Sequence, residues 1–142
     1  MATPKFLHAS TNFHQELKNR VNQYFAERKQ SSTGNVGLLL KGIFFFVAYF
    51  GLYVHLVYFT PVTWLAIVEC VFLGLFTAAI GFNVMHDGSH GSFSKSKTLN
   101  KVAAISVNFL GASSIMWSQK HNIIHHTYTN IDGIDDDIEI KP

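Results

Sequence analysis

GIFFFVAYFGLYVHLVYF, residues 42–59, carries no Asp, Glu, Lys or Arg and places aromatic rings near both of its ends. Its length fits a helix crossing the hydrocarbon core of a bilayer, about 20 residues at 1.5 Å each, and aromatic rings favour the two interfaces. Thr60-Pro61 breaks the pattern, and a second apolar stretch follows over 62–85, VTWLAIVECVFLGLFTAAIGFNVM. No Lys or Arg stands between Lys41 and Lys95, and the formal charges in that interval are Glu69 and Asp87 alone. Two spans joined by so short a turn make a helical hairpin. The basic residues give its orientation. Lys5, Lys18, Arg20, Arg28, Lys29 and Lys41 precede the hairpin, Lys95, Lys97, Lys101 and Lys120 follow it, and the turn has none. Both ends are therefore expected on the cytoplasmic side.

Composition agrees with this reading. Hydrophobic residues make up 48% and charged residues 14% of the 142, against about a quarter charged in soluble domains. A disordered chain and a charged coiled coil are excluded. A net charge of +2 without a basic stripe speaks against nucleic acid as a partner. The single cysteine, Cys70, excludes an internal disulfide framework and a zinc site built on CxxC pairs.

Upstream of the hairpin, a helix is expected from about Thr11 to Lys29, with an apolar stripe of Phe13, Leu17, Val21, Tyr24 and Phe25. Ser10, Thr11 and Asn12 are its candidate N-caps, and residues 30–35, QSSTGN, form a linker. The fold class is thus all-α and integral to the membrane. Residues 1–36 form a cytoplasmic amphipathic helix and linker, 37–85 a transmembrane hairpin, and 86–142 a cytoplasmic metal-binding region. Within the last, residues 102–117 are too short and too interrupted by Ser, Asn and Gly to cross comfortably. They are expected to lie along the interface as an amphipathic helix or to re-enter. In the hairpin, His55 and Glu69 lie at comparable depth by helical rise and are expected to face each other. His8 and His14 read as ordinary surface histidines.

The remaining histidines are grouped. His86 and His90 form one i, i+4 pair at the end of the second span; His121 and His125 form another, with His126 adjoining. In an α-helix such pairs share a face and converge on one metal ion, whereas His126, rotated about 100° from His125, serves a second ion or closes the first shell. An all-imidazole set suits iron, zinc, copper or nickel. Metal-bound histidines usually donate their other N–H to an oxygen acceptor. Asp87 lies inside the first group, and Asp132, Asp135, Asp136 and Asp137 follow the second. Asp87 and Asp132 are the expected supports of the ligand set, and Asn83, one turn before His86, either orients that ligand or makes a helix–helix hydrogen bond.

HDGSH and HNIIHH resemble the first two histidine boxes, HxxxH and HxxxHH, of the membrane-bound fatty acid desaturases. The surrounding FNVMHDGSHGSFS and MWSQKHNIIHHTYTNIDGIDDDIE are similar to the acyl-CoA/acyl-lipid branch that includes linoleoyl-CoA and front-end desaturases. The resemblance implies a non-haem di-iron centre, two iron ions held by His86, His90, His121, His125 and His126. It implies a CoA- or lipid-linked fatty acyl substrate, O2, and electrons from a separate ferredoxin or cytochrome b5. It also implies a third box, QxxHH or HxxHH, which this sequence does not contain. No HPGG haem motif occurs in residues 1–36. The chain is therefore expected to be the N-terminal part of a longer enzyme and to be inactive alone, because five histidines leave two irons under-coordinated. The alternatives are a related membrane hydroxylase, which the boxes do not separate from a desaturase, and a non-catalytic metal-binding or transport protein. Transport would call for polar ligands at the membrane midplane rather than at its edge.

Overall fold

The computed structural model describes residues 12–59, 61–135 and 137–138. Ser10 and Thr11 as caps, His8, Thr60 and Asp136 lie outside the described residues. The chain divides into two compact units, residues 1–32 and 33–142. Among the described residues every regular element is helical.

In the first unit, α1 spans Phe13–Glu27, shorter at each end than the sequence pattern suggests. Asn12 is its N-cap, without a side-chain capping bond. Its polar face is laced by one-turn pairs, Arg20 to Glu16 at 2.7 Å and Gln23 to Glu27 at 2.7 Å.

The second unit is built on the hairpin. Helix α2 spans Val36–Tyr58, and the Asn35 side chain caps it by accepting from the Leu38 N–H. Helix α3 spans Thr63–Ile80 and continues without a break through a π-helical turn, π1 (Gly81–Met85), into α4 (His86–Ser89). Two continuous helical stretches, Val36–Tyr58 and Thr63–Ser89, are long and apolar enough to cross a membrane. The first begins six residues earlier than the apolar run indicates and takes in Lys41; the second carries through HDGS. The first histidine box is therefore an extension of the span itself.

Polar bonds at opposite ends fix α2 and α3 as antiparallel. Near the start of α2, Lys41 Nζ donates to Asn83 Oδ1 at 2.8 Å. Near its end, His55 Nδ1 lies 2.9 Å from the buried Glu69 carboxylate, which meets the depth argument. Between them Phe44 and Phe45 pack on Phe76, with ring centroids 5.8 and 6.2 Å apart.

The core lies at the Lys41 end. Ile80, Val84, Phe93 and Ala103 form it, with Leu38, Phe45, Phe46, Tyr49 and Leu110 packed against them. Ala103 comes from α5 (Lys97–Ile105), which crosses α4 closely. Gly88 makes that crossing possible: a Cβ there would lie 2.6 Å from Ala103 Cβ and 2.7 Å from the Ala104 nitrogen. The segment 102–117 is not one helix. After α5 come a 3₁₀ turn (Ser106–Leu110), Gly111 at φ +87°, and α6 (Ser114–Trp117). None of these pieces approaches spanning length. A second π-helix, π2 (Ser118–His125), and the short α7 (His126–Tyr128) follow.

Candidate metal centre

The five box histidines come together. Ring centroids of His86 and His90 are 4.6 Å apart, His86 and His121 5.2 Å, and His90 and His126 4.7 Å. One nitrogen each of His86, His90 and His121 lies within 4.8 Å of the others. Boxes thirty residues apart in sequence thus share one centre, so they lie on one side of any 30 Å hydrocarbon core.

The second box reaches this arrangement by a route that α-helical geometry does not supply. His121–His125 lies in π2, where hydrogen bonds run from i to i+5. A turn closing at i+5 brings both i+4 and i+5 back over residue i. The His125 and His126 centroids are accordingly each 5.0 Å from that of His121. The 100° rotation of His126 from His125 expected of an α-helix is therefore replaced by a fan of three rings on one face. The first box is preceded by the other π turn, π1, which sets the rotation at which His86 leaves α3.

Carboxylates hold the second box from behind. His125 Nδ1 lies 2.9 and 3.0 Å from the two oxygens of Asp135, and His121 Nδ1 lies 2.5 Å from Asp137 Oδ2. Asp135 is fully buried, and its oxygens also accept the Asn130 and Asp137 backbone N–H groups. Burial alone pushes its pKa up, but the His125 bond and the two backbone N–H bonds outweigh that and leave the carboxyl below its ordinary value. With Nδ1 committed to a carboxylate, the donor left to each ring is Nε2. The Nε2 atom of His121 is buried without a hydrogen-bond partner among the described residues. A buried imidazole nitrogen with no partner fits a metal ion. So does the lowered pKa of His90, caused first by desolvation and then by its neighbours His86, His126 and His121.

Two of the residues named as supports stand away from the histidines. Asp132 is exposed, and among the described residues the carboxylates hydrogen-bonded to box-two histidines are Asp135 and Asp137. The turn through Asn130 (φ +63°) and Gly133 (φ +73°) returns the chain to the histidines only at Asp135. Asn83 does not reach His86. Its carbonyl is taken by Lys41 and its amide donates to the Ala79 carbonyl at 2.9 Å, so it joins helices rather than orienting a ligand. Asp87 lies beside His86 Nδ1 at 3.6 Å, an ion-pair distance beyond hydrogen bonding.

Three supporting residues escape a search for ligands. Trp117 stacks on His121, with centroids 4.5 Å apart and planes at 26°. Its indole N–H donates to Ser89 Oγ at 3.3 Å, and Asn122 donates to the Ser89 carbonyl at 3.3 Å. Ser89 Oγ in turn donates to the His86 carbonyl at 2.8 Å. Ser89, inside HDGSH, therefore stitches the two boxes together. The sequence signal for Trp117 is its i, i+4 spacing to His121.

A fatty acid desaturase family model matches residues 62–142, the second span and both histidine boxes. The chain belongs to the fatty acid desaturase family. It is 36% identical over 129 residues to the sn-1 linoleoyl-lipid 6-desaturase of Arthrospira platensis, covering 91% of this chain and 35% of that protein. It is 33% identical over 129 residues to the acyl-lipid (8-3)-desaturase of Physcomitrium patens, covering 91% and 27%. The sn-1 linoleoyl-lipid 6-desaturase of Synechocystis sp. is 36% identical over 127 residues, covering 89% and 35%. The chain thus spans about a third of the length of these curated relatives. No solved structure matches it. Desaturases are oxidoreductases of lipid metabolism, and the two spanning-length helices accord with a membrane protein.

Proposed function

We propose that this desaturase-family chain supplies the membrane hairpin and two histidine boxes of a fatty acyl desaturase whose substrate is a CoA- or lipid-linked acyl chain. Two iron ions would be held by His86, His90, His121, His125 and His126, with the remaining ligands coming from a third box in a complete enzyme. The chemistry such a centre supplies when metal is bound is oxidation of adjacent unactivated C–H bonds to a double bond, with O2 reduced to water by two electrons from a separate ferredoxin or cytochrome b5.

The chain's own residues have four tasks. Asp135 and Asp137 keep the protons of His125 and His121 on Nδ1, so that Nε2 is a lone-pair donor. Trp117 covers the face of His121 and Ser89 locks the box spacing. The hairpin holds this assembly at the bilayer edge, with both chain ends on the cytoplasmic side.

The observation that carries the reading is the convergence of the other four box imidazoles on His121, whose Nε2 has no hydrogen-bond partner among the described residues. The test is metal content and product analysis of the complete enzyme carrying His121→Ala or His125→Ala. Iron retention and double-bond formation are both expected to be lost while membrane insertion persists. Full turnover by either variant would refute the assignment, and a hydroxylated product from the unaltered enzyme would replace desaturation by hydroxylation.

A further inference from the structure

The two histidines of the first box are held differently. His86 lies inside the continuous helical stretch Thr63–Ser89, whereas His90 is the residue at which α4 ends. Its ring nevertheless sits in the cluster, with centroids 4.6 Å from His86, 5.4 Å from His121 and 4.7 Å from His126. Helix ends fray, so a ligand there is placed only as well as the backbone that follows it. That backbone is tied from three directions. The Asp87 carbonyl oxygen, inside the box, accepts the Ser92 and Phe93 N–H groups at 2.8 and 3.2 Å and the Ser92 hydroxyl at 3.0 Å. Asn100 on α5 accepts the Ser94 N–H at 2.7 Å. The Ser92 carbonyl oxygen accepts the Gly34 N–H at 2.7 Å.

The third tie comes from outside both boxes. Gly34 belongs to QSSTGN, which reads as a plain linker, and stands two residues before α2. The compact unit that holds the histidines begins at residue 33 and so includes it. Backbone conformation does not demand glycine here, since the positive-φ glycines among the described residues are Gly91, Gly111 and Gly133. Space does. A Cβ on Gly34 would run into the Phe93 carbonyl oxygen, 2.9 Å from its carbon and 2.6 Å from Leu38 Cδ2. Phe93 has little room to retreat. It is buried with Ile80, Val84 and Ala103, and its ring faces Gly42, where a Cβ would lie 3.3 Å from Phe93 Cζ.

We propose that Gly34 is a positioning residue for the metal centre: the segment before the first span closes as a latch on the loop after His90 and holds that imidazole among the other four. The proposal rests on the reading of the cluster as a metal site. Ser92, which Gly34 grips, is two residues from His90 and bonds back to Asp87, so a displaced loop carries the ligand with it. Coupling between a latch and a site is reciprocal. If the latch favours metal, bound metal must tighten the latch by the same factor.

Both directions are measurable on the 142-residue chain in detergent, with zinc(II) as the metal. In the unaltered chain, saturating zinc is expected to slow hydrogen exchange of the Gly34 amide roughly tenfold. The Phe59 amide, bonded to the His55 carbonyl at the other end of α2, should not change. In Gly34→Ala, zinc affinity is expected to fall roughly tenfold, as a ligand shift beyond about 0.2 Å requires. Ring–ring NOEs without metal locate the effect. The His90–His126 contact, 4.7 Å between centroids, is expected to be lost, and the His121–His125 contact, 5.0 Å, to be kept. Gly51→Ala, whose Cβ meets nothing within 4 Å, is expected to alter none of these. Adding Leu38→Ala to Gly34→Ala removes only the flexible contact and should not restore affinity; full restoration would overturn the proposal. So would a Gly34→Ala chain that keeps both ring contacts. Zinc that binds yet leaves Gly34 exchange unchanged, or slows Phe59 equally, also overturns it, and this holds even if the variant does not fold. Loss of the His90–His126 contact with zinc affinity unmoved sinks the metal reading and keeps the latch. If the unaltered chain binds no zinc, the metal reading falls and the ring contacts alone decide the latch.

Discussion

Gly88→Ala tests whether the α4–α5 crossing sets the geometry of the centre. The added Cβ would stand 2.6 Å from Ala103 Cβ, 2.7 Å from the Ala104 nitrogen and 2.8 Å from the Asn100 carbonyl oxygen. Carbon contacts settle at about 3.5–4.0 Å, so α5 must withdraw by roughly 1 Å. None of the three neighbours is the end of a flexible side chain, so the movement falls on the backbone. Overpacking of this kind costs about 1–3 kcal/mol. The displaced helix also carries Asn100, whose amide donates to the Gly91 and Ser94 carbonyls at 2.9 and 2.8 Å and holds the loop after His90. Metal–ligand distances tolerate only about 0.2 Å, so a shift several times larger should weaken metal binding by roughly tenfold or more. Thermal unfolding in detergent and cobalt(II) titration measure the two effects. Gly51→Ala is the control, since a Cβ there meets nothing within 4 Å. Adding Ala103→Gly to Gly88→Ala removes the closest contact but leaves the two backbone ones, so rescue should be partial. A Gly88→Ala protein with wild-type unfolding and metal affinity would refute the reasoning. Complete rescue would show that the Cβ contact alone matters.

Three other outcomes are expected. Asp135→Asn and Asp137→Asn should each lower metal affinity by about 10–100-fold, whereas Asp132→Asn should leave it unchanged, measured by calorimetric titration. Glu69→Gln or His55→Ala should destabilise the hairpin by about 0.6 kcal/mol and at most about 1.7 kcal/mol, read from unfolding in bicelles, without altering metal content. In a Cys70→Ser background, Lys95→Cys and Gln119→Cys should label from the same side of the membrane; labelling from opposite sides would contradict a shared centre.

The hairpin was legible because a bilayer imposes two demands that a single sequence displays: apolar length and a gap in charge. Depth was legible too, since helical rise alone put His55 level with Glu69. Rotation about the helix axis was not, and that is where the other expectations diverged. Asn83 precedes His86 by three residues, a spacing that fits a ligand support and a helix–helix bond equally. Lys41 on α2 takes its carbonyl, which selects the helix–helix bond, a contact visible only once two helices are packed. The acidic tail presents a similar ambiguity. Asp132, Asp135 and Asp137 are chemically alike, and the left-handed residues Asn130 and Gly133 decide which of them turn back to the histidines.

The π-helical turns mark where spacing alone ran out. The pattern HxxxHH is compatible with an α-helix, in which the last histidine points away from the other two, and with a π-helix, in which both members of the doublet flank the first. Only the second accounts for centroids 5.0 Å from His121 to each of His125 and His126. A π turn gives up the tighter α packing and is rarely adopted without a gain elsewhere. Here the gain is three imidazoles on one helical face, two of them backed by carboxylates and stitched through Ser89 to the first box in α4. His126, which the spacing alone left free to serve a second ion or to close the first shell, is part of the same cluster. Local backbone geometry, rather than the count of histidines, is what turns two ordinary-looking motifs into one centre.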